Sequence, residues 1–287
     1  MKKLLLSVAL LFATSMLFAQ VQVQERQQEQ RRGPCFDCGI VQIQVPVIFR
    51  MGNVSDIDQM GVHNVGDVDQ TGNMNYSKVL QEGNWNYARV NQSGYGNTVK
   101  VEQDGDRNWD VINQSGSWNF AYQDIGVGWA EDNVATINQY GQNHKAFQKV
   151  RYDGNNATIN QYNGFMGYGG NYAEQDQSSF NHGFGSDAII TQTGRQNAAK
   201  QVQRGSLNEA TATQWGRWNT SVEEQSNPQF SWAKNISTVY QMGDFNLSCV
   251  DQNTNGTASN FSTVDQIGSF NYATVHQTGG MMYPMPF

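Results

Sequence analysis

Apolar and polar positions alternate along most of this chain with period two, in short bursts that restart every eleven residues. Asn86, Ala88, Val90 and Gln92 fall on one side of an extended strand, and Tyr87, Arg89 and Asn91 on the other. The same alternation recurs at Asn133, Ala135, Ile137 and Gln139, at Asn246, Ser248, Val250 and Gln252, and at Asn271, Ala273, Val275 and Gln277. One side is small or aliphatic at its centre and amide at both ends. The other is charged, polar or aromatic. Such a burst predicts a strand buried on one face and solvated on the other.

The register holds over long stretches. Asparagines open successive units at Asn53, Asn64, Asn75, Asn86, Asn97, Asn108 and Asn119, and glutamines close them at Gln59, Gln70, Gln81, Gln92, Gln103 and Gln114. Each closing Gln is followed two residues on by glycine, as at Gly61, Gly72, Gly83, Gly94, Gly105, Gly116, Gly205 and Gly268. Glycine permits the positive φ of a tight corner. A seven-residue strand plus a four-residue turn leaves no room for a helix, and a unit this short buries its face only against its neighbours. The expected fold is therefore all-β. It is a β-solenoid of strand-turn-strand repeats, with half-repeats of about eleven residues, coils of about twenty-two, and cross-β stacking at roughly 4.8 Å. About nineteen units, including degenerate ones opening at Asn143 and Ser186, give nine or ten coils and a rod about 45 Å long. Longer steps near 126–132, 164–170, 177–185 and 227–234 read as loops bulging from corners.

Amides inside such a rod need partners, because a lone buried Asn is costly. Stacked copies supply them, each side chain donating to one neighbour and accepting from the other. The predicted ladder comprises Asn64, Asn75, Asn86, Asn97, Asn133, Asn208, Asn246 and Asn271 with Gln70, Gln81, Gln92, Gln103, Gln139, Gln214, Gln252 and Gln277. Its ends coincide with open sheet edges, which invite another copy to add. The inward pattern breaks at Asp110, Gln123, Lys145, Gln175, Gln201 and Glu223. An inward charge such as Glu223 is expensive unless the strand bulges or twists it outward. Two readings of the breaks stand: they slow premature assembly, or the repeats have decayed.

Outside the repeats the picture changes. Residues 1–19 carry Lys2 and Lys3, an apolar run over 4–12 and a segment ending in Ala19, the form of a secretory signal peptide. That run is too short to span a membrane, and no second one follows, so no integral membrane segment is expected. Cleavage there would take the formal charge from −7 to −9 by removing both lysines. Residues 20–52 form a flexible segment with Cys35-x-x-Cys38 and a strand-like run over 40–45, the repeats occupy 53–279, and 280–287 form a tail. A pI near 5.0 without a basic stripe excludes nucleic acid as a partner.

The pattern Gln81-x-Gly83-x-x-Asn86-x-Ala88-x-Val90-x-Gln92, recurring from Gln266 to Gln277, resembles the curlin repeat of bacterial curli amyloid subunits over roughly 53–279. The resemblance implies a secreted subunit that passes an outer-membrane pore unfolded and polymerises with itself at the cell surface into biofilm fibres. It further implies accessory chaperones and a paralogous fibre subunit, with residues 20–34 standing where the pore-addressing segment would be. The chain has more repeats than the familiar major subunit.

Chemistry in the conventional sense is sparse. Cys35 and Cys38 have redox or metal spacing without a βαβ context or a second ligand pair, leaving a local disulfide, a fibre tether or no role. Cys249 takes an outward slot as an odd thiol. The histidines His63, His144, His182 and His276 fall on turns and outward positions, and none recurs with a carboxylate, so no general base, cofactor or metal is expected. Asp56, Asp58, Asp67 and Asp69 face outward, as a loose cation site or a solvated, self-repelling face. Outward and corner aromatics include Tyr76, Trp85, Tyr87, Trp109, Trp118, Phe120, Tyr172, Trp218, Phe245, Phe270 and Tyr272, either a contact surface or plain strand propensity. Thr136, Thr158, Thr211, Thr238, Thr263 and Thr274 share one outward slot, which keeps a soluble binding module for ice or polysaccharide as the alternative to a fibre subunit. A carbohydrate-active β-helix enzyme would need convergent carboxylates, and the strands show none.

Overall fold

A computed structural model of the chain describes residues 52–126, 130–163, 169–179, 184–228, 232–254, 256 and 258–279. The expected signal peptide, the segment over 20–51 with Cys35 and Cys38, His182 and the tail over 280–287 lie outside the described residues. So do parts of the four predicted loops.

Nineteen strands and no helix make up the described residues. They begin with β1 (Val54–Met60), β2 (Val65–Asn73), β3 (Tyr76–Glu82), β4 (Tyr87–Tyr95), β5 (Thr98–Asp104) and β6 (Trp109–Ser117). The middle of the rod holds β7 (Phe120–Ile125), β8 (Val134–Gln142), β9 (Lys145–Arg151), β10 (Asn156–Tyr162), β11 (Tyr172–Ser178), β12 (Asp187–Arg195) and β13 (Ala198–Arg204). It ends with β14 (Asn208–Arg217), β15 (Thr220–Ser226), β16 (Asn235–Asp244), β17 (Leu247–Asn253), β18 (Asn260–Ile267) and β19 (Tyr272–Thr278).

Odd-numbered strands stack into a ten-stranded parallel sheet and even-numbered strands into a nine-stranded one, both in chain order. Each pair of consecutive strands is therefore one turn of a flattened β-solenoid. Stacked residues are 22 apart over the first coils, as Val65 opposite Tyr87. The offset grows where a loop is inserted, as Trp109 opposite Val134 and Ala157 opposite Ala188. One insertion has no counterpart in the sequence expectation: 254–259, between β17 and β18, which sets Asn235 opposite Asn260.

The inner faces of the two sheets meet in a core of small and aliphatic side chains, Val79, Val90, Val101, Ile112, Ile137 and Ile159 among them, with alanines such as Ala88 and Ala146. Alanine lets the sheets approach closely beside the amides, and the branched residues fill the middle of each layer. The unit expected to open at Asn143 opens one residue later. His144 occupies the buried asparagine slot, and Asn143 sits at the exposed corner with φ 60°. Lys145 consequently points outward and is no break in the inward pattern.

Candidate assembly surface: amide ladders and open sheet edges

Each asparagine at the start of a strand does the same work. The Asn97 backbone N–H donates to Asn75 Oδ1 at 3.1 Å, and its Nδ2 lies 3.0 Å from the same oxygen. That Nδ2 also faces the carbonyls of Ser93, four residues back, and of Gly116, one coil on, at 3.2 and 3.0 Å. One amide thus ties its own corner to both neighbouring coils. Asn64, Asn86, Asn133 and Asn208 stand in the corresponding column of the nine-stranded sheet, and Asn75, Asn97, Asn246 and Asn271 in that of the ten-stranded sheet.

The corner has two left-handed residues. The predicted glycines all have positive φ, and at Gly94 (φ +114°) an added Cβ would lie 2.0 Å from the Gly116 carbonyl oxygen of the next coil. The second was missed in the sequence: the residue before most of the corner asparagines, held at φ near 60° in eleven non-glycine cases including Trp85, Trp118, Trp218, Phe245 and Phe270. Bulky side chains rarely adopt that conformation alone. Here each corner stacks on the next, and Phe245 lies 5.1 Å from Phe270 with rings nearly parallel.

Glutamines form the second set of ladders. On the nine-stranded sheet one runs unbroken, Gln70 donating to Gln92, Gln92 to Gln114, Gln114 to Gln139, and onward through Gln214 to Gln266. Each Nε2 also donates to a backbone carbonyl of the opposite sheet, as Gln92 to Tyr76 at 3.1 Å, so the ladder staples the sheets together. On the ten-stranded sheet the expected continuous ladder is interrupted. It runs Gln59, Gln81, Gln103, stops where Ile125 and Val150 fill the slot, and resumes from Gln177 through Gln203, Gln225 and Gln252 to Gln277.

The supposed breaks fill this gap from the neighbouring column. Gln123 donates to Gln148, Gln148 to Gln175, Gln175 to Gln201, and Gln201 to Glu223, at 2.8 to 3.0 Å. Gln123, Gln175, Gln201 and Glu223 are thus an extra ladder beside the main one. Its first carbonyl, Gln123 Oε1, has no partner, and neither has Gln177 Oε1, where the main ladder resumes. Its last member needs only acceptors, because the next residue in the column, Val250, cannot take a proton. A carboxyl suits that position: Glu223 stays inward, accepting from Gln201 and from the Ser237 hydroxyl. Burial pushes its pKa up to about 7 despite those two bonds.

Two other titratable groups are buried. His144 imitates asparagine: its Nδ1 accepts from the Asn171 backbone N–H at 3.1 Å, and its Nε2 lies 3.2 Å from the Tyr140 carbonyl. That geometry requires the neutral ring with the proton on Nε2, and desolvation lowers its pKa to about 4. Asp110 stands in an alanine slot between Ala88 and Ala135, with neither carboxyl oxygen hydrogen-bonded. Burial holds its pKa well above the usual carboxylate range.

Outside, Asp56, Asp58, Asp67 and Asp69 are exposed, and Asp67 lies 3.6 Å from Arg89. No group of three or more His, Cys, Asp or Glu among the described residues is placed to hold a metal ion. Thr136, Thr158, Thr211, Thr238 and Thr263 form one outward row on the nine-stranded sheet, interrupted by Ile189. Thr274 belongs to the other sheet, opposite Cys249. Beside that row runs an outward ladder absent from the sequence reading, Asn91 to Asn113 to Asn138 to Asn160, at 2.7 to 2.9 Å. Its signal was the recurring Asn-Gln dipeptide at strand ends. Tyr172 is buried, in contrast to the exposed Trp85, Trp109, Trp118, Trp218, Phe245, Phe270 and Tyr272. Cys249 is likewise buried, and it is disulfide-bonded, not an odd thiol.

The rod ends are where the repeat stops being satisfied. In the aliphatic column Ile57 of β1 is 42% exposed whereas Val79 beneath it is fully buried. β1 and β19 bound one sheet, β2 and β18 the other. Every Gln–Gln bond runs its donor toward the C-terminal end, and every Asn–Asn bond of the buried corner columns runs its donor toward the N-terminal end. The two ends are therefore complementary to each other and not to themselves.

The Curlin associated repeat family model matches residues 78–105. No curated protein and no solved structure matches the chain. The matched segment spans β3 to the corner after β5, where both ladders are unbroken. No helix among the described residues is long and apolar enough to cross a membrane.

Proposed function

We propose that this chain is a secreted structural subunit of a curli-like extracellular amyloid fibre, serving biofilm matrix and adhesion at the bacterial surface, as the main fibre component or its nucleator. The observation that carries this reading is the polarity of the open ends. At the C-terminal end Gln277 Nε2 and Asn271 Oδ1 lie at the sheet edge, and at the N-terminal end the complementary Gln59 Oε1 and Asn53 Nδ2 do. A head-to-tail copy continues both ladders and the parallel strands of the ten-stranded sheet. A head-to-head copy sets acceptor against acceptor and donor against donor. Added strands also cover apolar ends such as Ile57 and Val275. An outer-membrane secretion pore, accessory chaperones and a paralogous subunit are partners by the repeat's resemblance. The reading is non-enzymatic and needs no cofactor.

Dilution of residues 20–287 from denaturant at micromolar concentration tests it, followed by amyloid-dye fluorescence and fibre diffraction. The expected outcome is growth after a lag that seeds abolish, and a meridional spacing of about 4.7–4.8 Å. A β-rich monomer that stays soluble for days sinks the fibre reading. If that monomer also depresses the freezing point with hysteresis, the threonine row is the functional face and the soluble binding module is the correct reading.

A further inference from the structure

On the outer face of the nine-stranded sheet one row changes from hydroxyls to rings. Ser93 and Ser115 are followed in register by Tyr140, Tyr162, Thr193 and Trp215. Tyr140 and Tyr162 are direct partners on β8 and β10, which are neighbours in the sheet. A parallel in-register pair sets like side chains about 4.8 Å apart in the same orientation. The two rings follow that rule: their centroids lie 5.5 Å apart and their planes differ by 2°. The serine before the pair and the threonine after it are short, so both rings stand clear of the row. Tyr140 is 45% exposed and Tyr162 37%.

No other tyrosine in the described strands has a tyrosine opposite it. Tyr87 stands between Val65 and Trp109, Tyr122 between Lys100 and Phe147, and Tyr172 between Lys145 and Ala198. Tyr122 and Tyr172 also donate their hydroxyls to Glu102 and Glu174, at 2.5 and 2.9 Å, and Tyr172 is buried. The pair on β8 and β10 has what one-electron chemistry at a phenol requires, a second phenol alongside and contact with solvent. Its rings also have room to turn. Tyr χ2 is a broad, two-fold torsion, Tyr140 is followed by the corner Gly141, and Tyr162 is the last residue of β10. A rotation of either ring brings a carbon ortho to its hydroxyl toward the matching carbon one coil away.

We propose that Tyr140 and Tyr162 are a modification site, joined as dityrosine by hydrogen peroxide acting through a haem peroxidase. Each phenol loses one electron and one proton to become a phenoxyl radical. The two radicals form a carbon–carbon bond between ring positions ortho to the oxygens, and the hydrogens on those carbons move back to the phenolic oxygens. One peroxide takes up the two electrons and two protons and leaves as two waters. The bond closes residues 140–162, a full coil from β8 through β9 to β10, into a covalent ring. A coil closed in this way no longer unwinds from either end of the rod. Folding comes first, because only the coil-to-coil register brings the two phenols together. Both partners lie on one chain, so the inference stands apart from the fibre reading: a soluble monomer and a fibre carry the same pair.

The full chain, mixed in equal parts with isotope-labelled copies before refolding, is treated with a haem peroxidase and limiting hydrogen peroxide, then dissolved in denaturant and cut with trypsin. Cleavage after Arg107, Lys145, Arg151 and Arg195 puts Tyr140 on peptide 108–145 and Tyr162 on peptide 152–195. The expected product is these two peptides joined, two hydrogens lighter than their sum, with fragmentation placing the bond on Tyr140 and Tyr162. Groups held side by side react as if highly concentrated, so this link should exceed any other tyrosine pair by at least about tenfold. It should join peptides of like label. Tyr162→Phe should abolish it, and Tyr122→Phe should leave it unchanged. Links spread evenly over the tyrosines, or mixed-label links as frequent as like-label ones, overturn the proposal. A chain that stays unlinked under conditions that dimerise free tyrosine overturns it as well.

Discussion

Protonating His144 would place a second N–H on Nδ1, where the Asn171 backbone N–H already points. Its folded pKa, about 4, lies below its ordinary 6.5, so its contribution is complete above pH 6.5 and lost as pH falls toward 4. Across that window the loss is about 3 kcal/mol. Glu223 has the opposite sign. Its pKa is raised from 4.5 to about 7, so its contribution is complete below 4.5 and is lost as pH rises through 7. Asp110, raised by burial, acts in the same direction as Glu223. Denaturant midpoints measured from pH 4 to 8 should separate them. Asp110→Ala should stabilise at pH 7, because the slot is alanine on both neighbouring strands. Asp110→Ala with Glu223→Gln should leave a stability that climbs between pH 4 and 6.5, and adding His144→Asn should flatten that climb. A climb that persists in the triple variant would remove His144 as its source.

The element that repeats here is a strand plus a corner, and its tolerance is set at the corner. Gly94→Ala puts a methyl group 2.0 Å from the Gly116 carbonyl oxygen at φ +114°, so it should cost at least about 2 kcal/mol. The same change at Gly52, with nothing within 4 Å, should cost less; equal costs in thermal melts would mean the corner relaxes freely. Strands and glycines were legible in sequence because period-two alternation and Gln-x-Gly spacing are local signals. The left-handed residue before most corner asparagines was not, since Trp85 or Phe245 carries no intrinsic preference for it and is held there by the stacked corners. The inward glutamines were misjudged for a related reason. Gln123 or Gln201 alone in a core column looks like an error, and only the coil-to-coil register shows Gln148 and Gln175 standing between them. Likewise His144 was read one position out, because a histidine was not recognised as an asparagine equivalent. The ladder itself was visible because its members are identical.

At the scale of the molecule, the odd number of strands among the described residues has a geometrical consequence for any polymer of this chain. With ten strands in one sheet and nine in the other among the described residues, β19 is continued by the β1 of a following copy, since both belong to the longer sheet. β18 and the following β2 are then two strand spacings apart, about 10 Å. Each junction leaves a slot one strand wide on the nine-stranded face, lipped by unpaired backbone donors and acceptors, and the other face stays continuous. The fibre is in effect a superlattice: a fine 4.8 Å rhythm with one missing beat on one side for every ten, about 48 Å. Oriented fibres should show a weak meridional order near that long spacing beneath the strong short one, and a seven-residue extended peptide matching a β2-type strand should fill the slot and extinguish it. A fibre lacking the long order from the outset would mean that copies do not join through β19 and β1. The imbalance makes every joint in the polymer distinguishable from its shaft, so a second molecule could read where one subunit ends and the next begins.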